Sequence, residues 1–343
     1  MVAFSALLSL VAFGANEDKV VASAAMAAIK NDFLNIVYGF MSMQRKFICL
    51  INPISGIKKK PVLLETIRTS AKSAGFDFEI METRKDGDYR FLRELVPEKK
   101  ITDLVICGGD GSVSTVTSHL LDVRVNVGII PTGSGNGLAL AAGIPYSTKR
   151  SLDIIFKGHS SYVDGFLING KFSCMMCGIG NDAQVAHEFA QTRVRGLKTY
   201  LKISALNYFK CKPYSFTILA NEKKISLDAF FITVANSIQF GNNVTIAPRA
   251  SLSDGLLDFV VVKKMHKLVL PFALLRQISG SNTITELRHY RNNRNIVYFQ
   301  AKEVEIINHN NAPIHIDGEP EPTVEKITIK ILPNAFRLLQ PSR

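Results

Sequence analysis

The stretch Leu104–Ala139, LVICGGDGSVSTVTSHLLDVRVNVGIIPTGSGNGLA, contains two apolar runs, Leu104–Cys107 and Val125–Ile130, and each runs straight into a glycine-rich turn. The first turn is Gly108-Gly109-Asp110-Gly111 and the second is Thr132-Gly133-Ser134-Gly135-Asn136. Each turn opens into a helix-compatible segment, so the stretch reads as two consecutive strand–loop–helix units. Glycine admits positive φ and close approach of the backbone to a ligand. Free N–H groups at a helix start, or in a nest of successive amides, favour phosphate. Two such loops after neighbouring parallel strands line one crevice at the carboxyl ends of a sheet. The ligand this suits is a polyphosphate nucleotide. The chain has no G-x-x-x-x-G-K-[ST] segment, which leaves the phosphates to backbone amides, hydroxyls and metal rather than to a P-loop lysine.

The chain upstream has the same alternation. Lys46–Ile51 reads as a strand that ends in Asn52-Pro53-Ile54-Ser55-Gly56. Pro61–Ala74 has one apolar helical face and stops at Gly75. Phe76–Thr83 is a second strand and Asp88–Val96 a helix. Strands alternating with helices predict a Rossmann-like, three-layer α/β domain over 45–160, its parallel sheet covered on both faces. Near Ser160 the texture changes. Tyr162–Ile168 and Lys171–Cys177 flank Asn169-Gly170, a strong hairpin signal, and Tyr214–Ala220 and Ile225–Asn236 flank Asn221-Glu222. A helix is expected over Asn181–Phe209 and a basic helix over Lys267–Ile278. Further strands are expected at Leu257–Val262, Ile296–Phe299, Glu303–Asn308, Pro313–Ile316 and Lys326–Leu332. This second half, 161–325, is expected to be an antiparallel β-sandwich. No repeat of fixed period is present.

Composition decides what company such a body keeps. The net charge is +12; residues 1–44, with Glu17, Asp18, Lys19, Lys30 and Asp32, carry −1 of it and the remainder +13. A basic globular body suits polyanions, whether nucleic acid, anionic membrane or phosphorylated ligands, although excess Lys and Arg also simply solvate a surface. No aromatic RNA-binding motif or helix-turn-helix signature is present, which argues against nucleic acid. Five cysteines, an odd count set mostly in apolar runs, point to reduced, buried thiols. Cys174 and Cys177 form a C-x-x-C without a second pair at zinc spacing, so a core strand is the expectation there. No apolar run is long enough to read as a membrane-spanning helix. Residues 1–44 stand apart as an N-terminal extension, Met1–Ala15 apolar but without a basic leader and Asn16–Phe40 an Ala-rich helix. The readings open for it are a membrane-associating helix, a packing appendage, or an extension upstream of a start at Met41 or Met43, the last two preferred.

Asn52-Pro53-x-Ser55-Gly56, Gly108-Gly109-Asp110-Gly111, Pro131-x-Gly133-Ser134-Gly135-Asn136, Ala247-Pro248…Asp254-Gly255-x-Leu257-Asp258 and Asp317-Gly318-Glu319 occur in that order. Together they resemble the diacylglycerol kinase and sphingosine kinase family of lipid kinases, its soluble bacterial members in particular, from about Lys46 to Leu339. The resemblance implies an ATP-binding α/β domain, a lipid-binding β-sandwich and a C-terminal segment, 326–343, that returns to the first domain. It implies ATP contacts from Asn52, Ser55, Gly56, Thr83, Gly108, Gly109, Asp110, Gly111, Ser112, Gly133, Ser134, Gly135 and Asn136. Serine and threonine hydroxyls and glycine amides are apt donors to phosphate oxygens. It also implies Mg²⁺ in the cleft and a structural Mg²⁺ held by Asp254 with the carbonyls of Ser251 and Leu256, an all-oxygen set that suits a hard cation.

Two carboxylates compete for the role of proton acceptor. Glu319 matches the base of the bacterial lipid kinases and is ranked first. Asp110 matches the aspartate given that role in sphingosine kinases, and a carboxylate among phosphate-binding glycines otherwise has reason to hold Mg²⁺. In place of the acidic residue common in the family after the first loop, this chain has Thr115-Val116. The histidines are scattered and no role is assigned to them. The expected activity is transfer of the γ-phosphate of ATP to a primary hydroxyl of a membrane lipid, diacylglycerol-like first and sphingoid base or other lipid second. The alternatives are an NAD kinase-like enzyme and a non-catalytic nucleotide- or lipid-binding regulator. The basic, aromatic-bearing segments Arg193–Lys212 and Lys263–Arg294 are candidate surfaces for anionic membrane. The expected location is cytoplasmic, peripheral at the inner face of the membrane, with a homodimer left open.

Overall fold

The structure is a computed structural model that describes residues 45–52, 60–192, 197–238, 245–285, 287–290 and 295–342. Residues 1–44, and with them the readings of the N-terminal extension, lie outside the described residues, as do Ser55 and Gly56. Lys46–Arg343 forms one compact unit.

Its first half is an α/β unit. Strands β1 (Phe47–Ile51), β2 (Phe78–Glu82), β3 (Asp103–Gly108) and β4 (Asn126–Pro131) are all parallel, in the order β4-β3-β1-β2. β1 and β3 are buried along their whole length, as strands covered on both faces must be, and they are accordingly near-continuous runs of Ile, Leu, Val and Cys. The covering helices are α1 (Lys60–Ser73), α2 (Leu92–Glu98), α3 (Asp110–Ser118), α4 (Gly137–Ala141) and α5 (Thr148–Lys157). α2 begins at Leu92 rather than near Asp88, because the carboxylate of Asp88 accepts the Arg90 amide at 3.0 Å and its guanidinium as well. Such a local Asx bond competes with helical backbone bonding.

The second half is mainly antiparallel. β5 (Ser160–Ile168) and β6 (Lys171–Ser173) form the hairpin expected at Asn169-Gly170, where both residues have positive φ, 47° and 82°. The expected strand Lys171–Cys177 is broken, since β7 (Met176–Gly180) leaves β6 and pairs with β9 (Lys223–Ala235) instead. β8 (Tyr214–Ala220) pairs with β9 across Asn221-Glu222, both again at positive φ. The helix expected over Asn181–Phe209 is two helices, α6 (Asn181–Gln191) and α7 (Leu197–Lys210), because Thr192 is extended and its hydroxyl bonds back to the Phe189 carbonyl. β10 (Leu257–Lys263), α8 (Leu270–Ile278), β11 (Ile296–Ala301), β12 (Glu303–Asn308), β13 (Ile314–Ile316) and β14 (Glu319–Glu321) complete this half.

β15 (Lys326–Leu339) joins the halves. It pairs antiparallel with β12 and β5, then parallel with β4 at Arg337 and Leu338. The C-terminal segment thus returns to the α/β half, and the strand runs seven residues beyond the expected Leu332. All the strands belong to one hydrogen-bonded network. The carboxyl ends of β3 and β4 carry the two glycine loops.

Candidate functional site

The two glycine loops touch. A Cβ on Gly133 would lie 2.4 Å from Gly109 Cα, and one on Gly109 would lie 3.1 Å from Gly133 Cα, so the contact admits no side chain. Asn136 is buried, sits at φ 52° and closes its own loop. Its Oδ1 accepts the Gly133 amide at 2.9 Å and its Nδ2 donates to the Gly133 carbonyl at 2.7 Å. Asp110 ties the loops together, accepting the Gly137 and Leu138 amides at 3.0 and 3.3 Å, so a residue of the first loop caps the helix after the second. Asn52 Nδ2 donates to Ser112 Oγ at 2.9 Å, joining the end of β1 to α3. The Thr83 amide donates to the Ile51 carbonyl at the same edge. The structure therefore brings Asn52, Thr83, Gly108–Ser112 and Gly133–Asn136 together, with Ser134 exposed. Thr115 is exposed on α3 with its hydroxyl turned back to the Gly111 carbonyl at 2.7 Å.

A turn of the second half meets α3. Ile316 pairs with Glu319, leaving Asp317 and Gly318 as a two-residue hairpin loop at φ 51° and 84°. Positive φ at both central residues is the I′ geometry that Asp-Gly favours. Glu319 stands exposed at the start of β14. The Asp317 carboxylate accepts from Ser114 Oγ on α3, from Ser173 Oγ at 2.7 Å and from the Met176 amide at 3.0 Å. It thereby docks the turn onto the helix that begins at Asp110. Burial pushes the Asp317 carboxyl upward against these donors. Burial likewise pushes Asp110 up to about 6; the Gly137 amide opposes the shift and the neighbouring Asp317 charge adds to it.

Asp317, Ser114 and Ser173 were not picked out as site residues by sequence reasoning. The one signal for them was the Asp-Gly dipeptide between β-compatible runs. The scattered histidines also hide a contact, since His315 Nε2 lies 3.4 Å from Asp182 Oδ2 although 133 residues separate them.

The Ser251–Leu256 loop precedes β10. Asp254 is exposed and its Oδ1 accepts the Leu256 amide at 3.1 Å. The buried Asp164 holds the loop, accepting the Gly255 amide and the Asn334 amide of β15, both at 2.8 Å. Among the described residues no group of three or more His, Cys, Asp or Glu surrounds a point in space. One carboxylate plus backbone carbonyls nevertheless fits a hard cation.

An apolar ridge lies elsewhere on the second half. Phe209 at the end of α7, Leu268 just before α8, and Phe272 and Leu275 on α8 are 62 to 74% exposed. Tyr208 Oη donates to the Lys267 carbonyl and Lys267 Nζ to the Phe209 carbonyl, each at 2.6 Å, so the two segments meet. Among the described residues no helix is long and apolar enough to cross a membrane.

Comparison with known proteins gives two family models in succession. The diacylglycerol kinase catalytic domain matches residues 46–168, and the YegS C-terminal NAD kinase beta sandwich-like domain matches residues 175–340. A probable lipid kinase YegS-like protein of Shewanella frigidimarina is 25% identical over 297 residues, 84% of this chain and 92% of the relative. The diacylglycerol kinase of Bacillus subtilis is 25% identical over 282 residues, 79% and 88% of the two chains. A crystal structure of a diacylglycerol kinase from Bacillus anthracis str. Sterne superposes with a TM-score of 0.68 at 21% identity, covering 88% of this chain and 98% of that one. At that identity the superposition speaks for the fold.

Proposed function

We propose that the chain is a lipid kinase of the diacylglycerol kinase type and that it transfers the γ-phosphoryl group of ATP to a primary hydroxyl of a membrane lipid, diacylglycerol-like in first place. The observation that carries the reading is the docking of the Asp317-Gly318-Glu319 turn onto α3 through Ser114, which ties the turn that carries Glu319 to the helix that begins in the first glycine loop. Amides of Gly108–Gly111, Ser134 and Gly135, with Ser112, Ser134, Asn52 and Thr83, hold the phosphates; Gly133, whose amide is bonded to Asn136, allows the close approach of the loops, and Ser55 and Gly56 join them by resemblance. Asn136 and Asp110 act on the nucleotide indirectly, because their polar atoms are bonded within the loops.

Glu319 is the general base. Its carboxylate takes the proton of the lipid hydroxyl as that oxygen bonds to the γ-phosphorus. The bond from phosphorus to the β–γ bridging oxygen breaks, and its electron pair leaves with ADP. Little covalent work falls to the protein in such a transfer, so positioning and charge neutralisation dominate. Mg²⁺ accompanies ATP and supplies charge neutralisation on the phosphates when bound. Asp254 with the Ser251 and Leu256 carbonyls would hold a second, structural Mg²⁺, where the loop is already pinned by Asp164.

The acceptor lies in a membrane, and the ridge Phe209, Leu268, Phe272 and Leu275 is the surface that would meet it. Lys210, Lys212, Lys264, Lys267 and Arg276 flank it in sequence, which suits anionic headgroups. α7 packs on α6, and α6 on β14, which connects the Phe209 end of the ridge to the Glu319 strand through two helices. Radiolabelled ATP offered with diacylglycerol, a sphingoid base, ceramide, phosphatidylglycerol and NAD tests the reading. Label in a lipid, and a fall in kcat of about 10² or more in Glu319→Gln, are expected. Label in NAD alone, or full activity in Glu319→Gln, would overturn it.

A further inference from the structure

Beneath the turn that carries Glu319, an imidazole and a carboxylate are buried together. His315, in the middle of β13, and Asp182, in the first turn of α6, have side chains only 3% and 7% exposed. His315 Nε2 lies 3.4 Å from Asp182 Oδ2, and Thr233 Oγ1 donates to the same oxygen at 3.3 Å. The backbone makes room for them. In register, His315 lies opposite Gly178 of β7, and Gly178 lies opposite Thr233 of β9. A Cβ on Gly178 would lie 2.3 Å from both Asp182 Oδ2 and His315 Nε2. The row therefore reads His, Gly, Thr across three strands, with Asp182 reaching over the gap at the glycine.

The other ring nitrogen faces the acceptor turn. His315 Nδ1 accepts the amide of Gly318 at 3.2 Å. With Nδ1 accepting, the ring proton sits on Nε2 and points at Asp182, the tautomer that a carboxylate on that side selects. β14 has three residues and lies at the edge of the sheet. The pair flanking the turn, Ile316 and Glu319, is the hydrogen-bonded one, and the His315–Pro320 pair that follows is not, so the ladder under the turn is short. The Asp317 carboxylate holds one side of the turn, and the His315 ring adds a bond to the Gly318 amide. A buried Asp–His pair adds little net stability, because desolvation offsets most of its attraction. Orientation is what it provides.

We propose that Asp182 and His315 form a positioning pair for the acceptor turn: Asp182 fixes the tautomer and angle of the imidazole, and His315 Nδ1 holds the Gly318 amide so that Glu319 meets the lipid hydroxyl at one angle. This rests on Glu319 being the base. The pair itself touches neither nucleotide nor lipid.

The test compares His315→Leu, His315→Asn and His315→Gln with wild type for kcat, KM for ATP and thermal midpoint. His315→Leu is expected to lower kcat at least about tenfold, as small misplacements of a reacting group do, with KM for ATP unchanged. His315→Asn sets an acceptor oxygen near the Nδ1 position and is expected to recover most of kcat. His315→Gln reaches toward Asp182 instead and is not. If the Leu variant does not fold, the contrast between Asn and Gln carries the test. Equal kcat in Asn and Gln variants, or lowered midpoints with kcat intact, would mean a purely structural pair and overturn the inference. ¹⁵N-histidine spectra of the wild type give a readout independent of activity: His315 is expected as a single Nε2–H tautomer, and a mixture of tautomers would also overturn it. In a Glu319→Gln background His315→Leu is expected to add little. Full activity in Glu319→Gln alone would instead defeat the assignment of the base, which separates the two failures.

Discussion

Asp110 and Glu319 are both acidic, yet their surroundings give them different work. Asp110 has two amides on its carboxylate, whereas Glu319 is exposed at the head of a hairpin. In Asp110→Asn one of the two acceptor positions becomes an N–H facing an N–H. The mutant is expected to raise KM for ATP by loosening both loops, with a stability loss of about 1–3 kcal/mol; steady-state kinetics and denaturant titration read the two effects. The pH dependence has a definite sign. The folded carboxyl takes up its proton near about 6, above the value of roughly 4 in an unfolded chain. Keeping it charged therefore costs stability above about pH 6, and that cost is relieved as pH falls from about 6 toward about 4. Denaturant titrations should show the wild type gaining on Asp110→Asn between pH 7 and pH 5, and a flat difference would contradict the shift. Asp258, also raised to about 6, mainly by burial, has the same sign in both proteins and cancels. Glycine loops, Asp110 and Glu319 were legible as residue types at motif spacing. Ser114, Ser173, Asp182 and His315 were not, and Asp317 was legible only as a motif member, since their contacts run to partners 51 to 203 positions away that no local pattern records.

Elements were read well where turn chemistry is local. Asn169-Gly170 and Asn221-Glu222 are hairpin turns because these residues tolerate positive φ. Errors came where side chains or distant strands intervened, as at Asp88 before α2, at Thr192 between α6 and α7, and at Cys174-Met175 between β6 and β7. The helix α5 was not anticipated, and α4, expected after the second glycine loop, owes its start to Asp110, a tertiary cap. The contact between loops gives a sharp prediction. Gly133→Ala must push the Gly109 backbone away and is expected to abolish ATP turnover. Gly75→Ala, at φ 75° with open space around it, is expected to leave turnover intact while costing roughly 1 kcal/mol in denaturant titration. Equal turnover in the two variants would mean that the loops do not need their close approach.

The α/β half and the antiparallel half share one sheet, with β15 hydrogen-bonded to β12, β5 and β4. Breaking either half exposes strand edges of the other, so Lys46–Arg343 is expected to unfold in one calorimetric transition whose calorimetric and van't Hoff enthalpies agree; two resolved transitions would show that β15 couples them weakly. The amphipathic periods, the apolar runs of the parallel strands and the glycine turns are local properties of consecutive residues, and so the alternating α/β half, the change to antiparallel strands and the phosphate loops could be read along the chain. Which carboxylate caps a helix, which docks a turn and which sits beside an imidazole is not local. Those roles arise because β15 and the β13–β14 hairpin carry Ile314–Leu339 back against residues 110–182, where contacts with distant partners, rather than residue type, set the direction of each group.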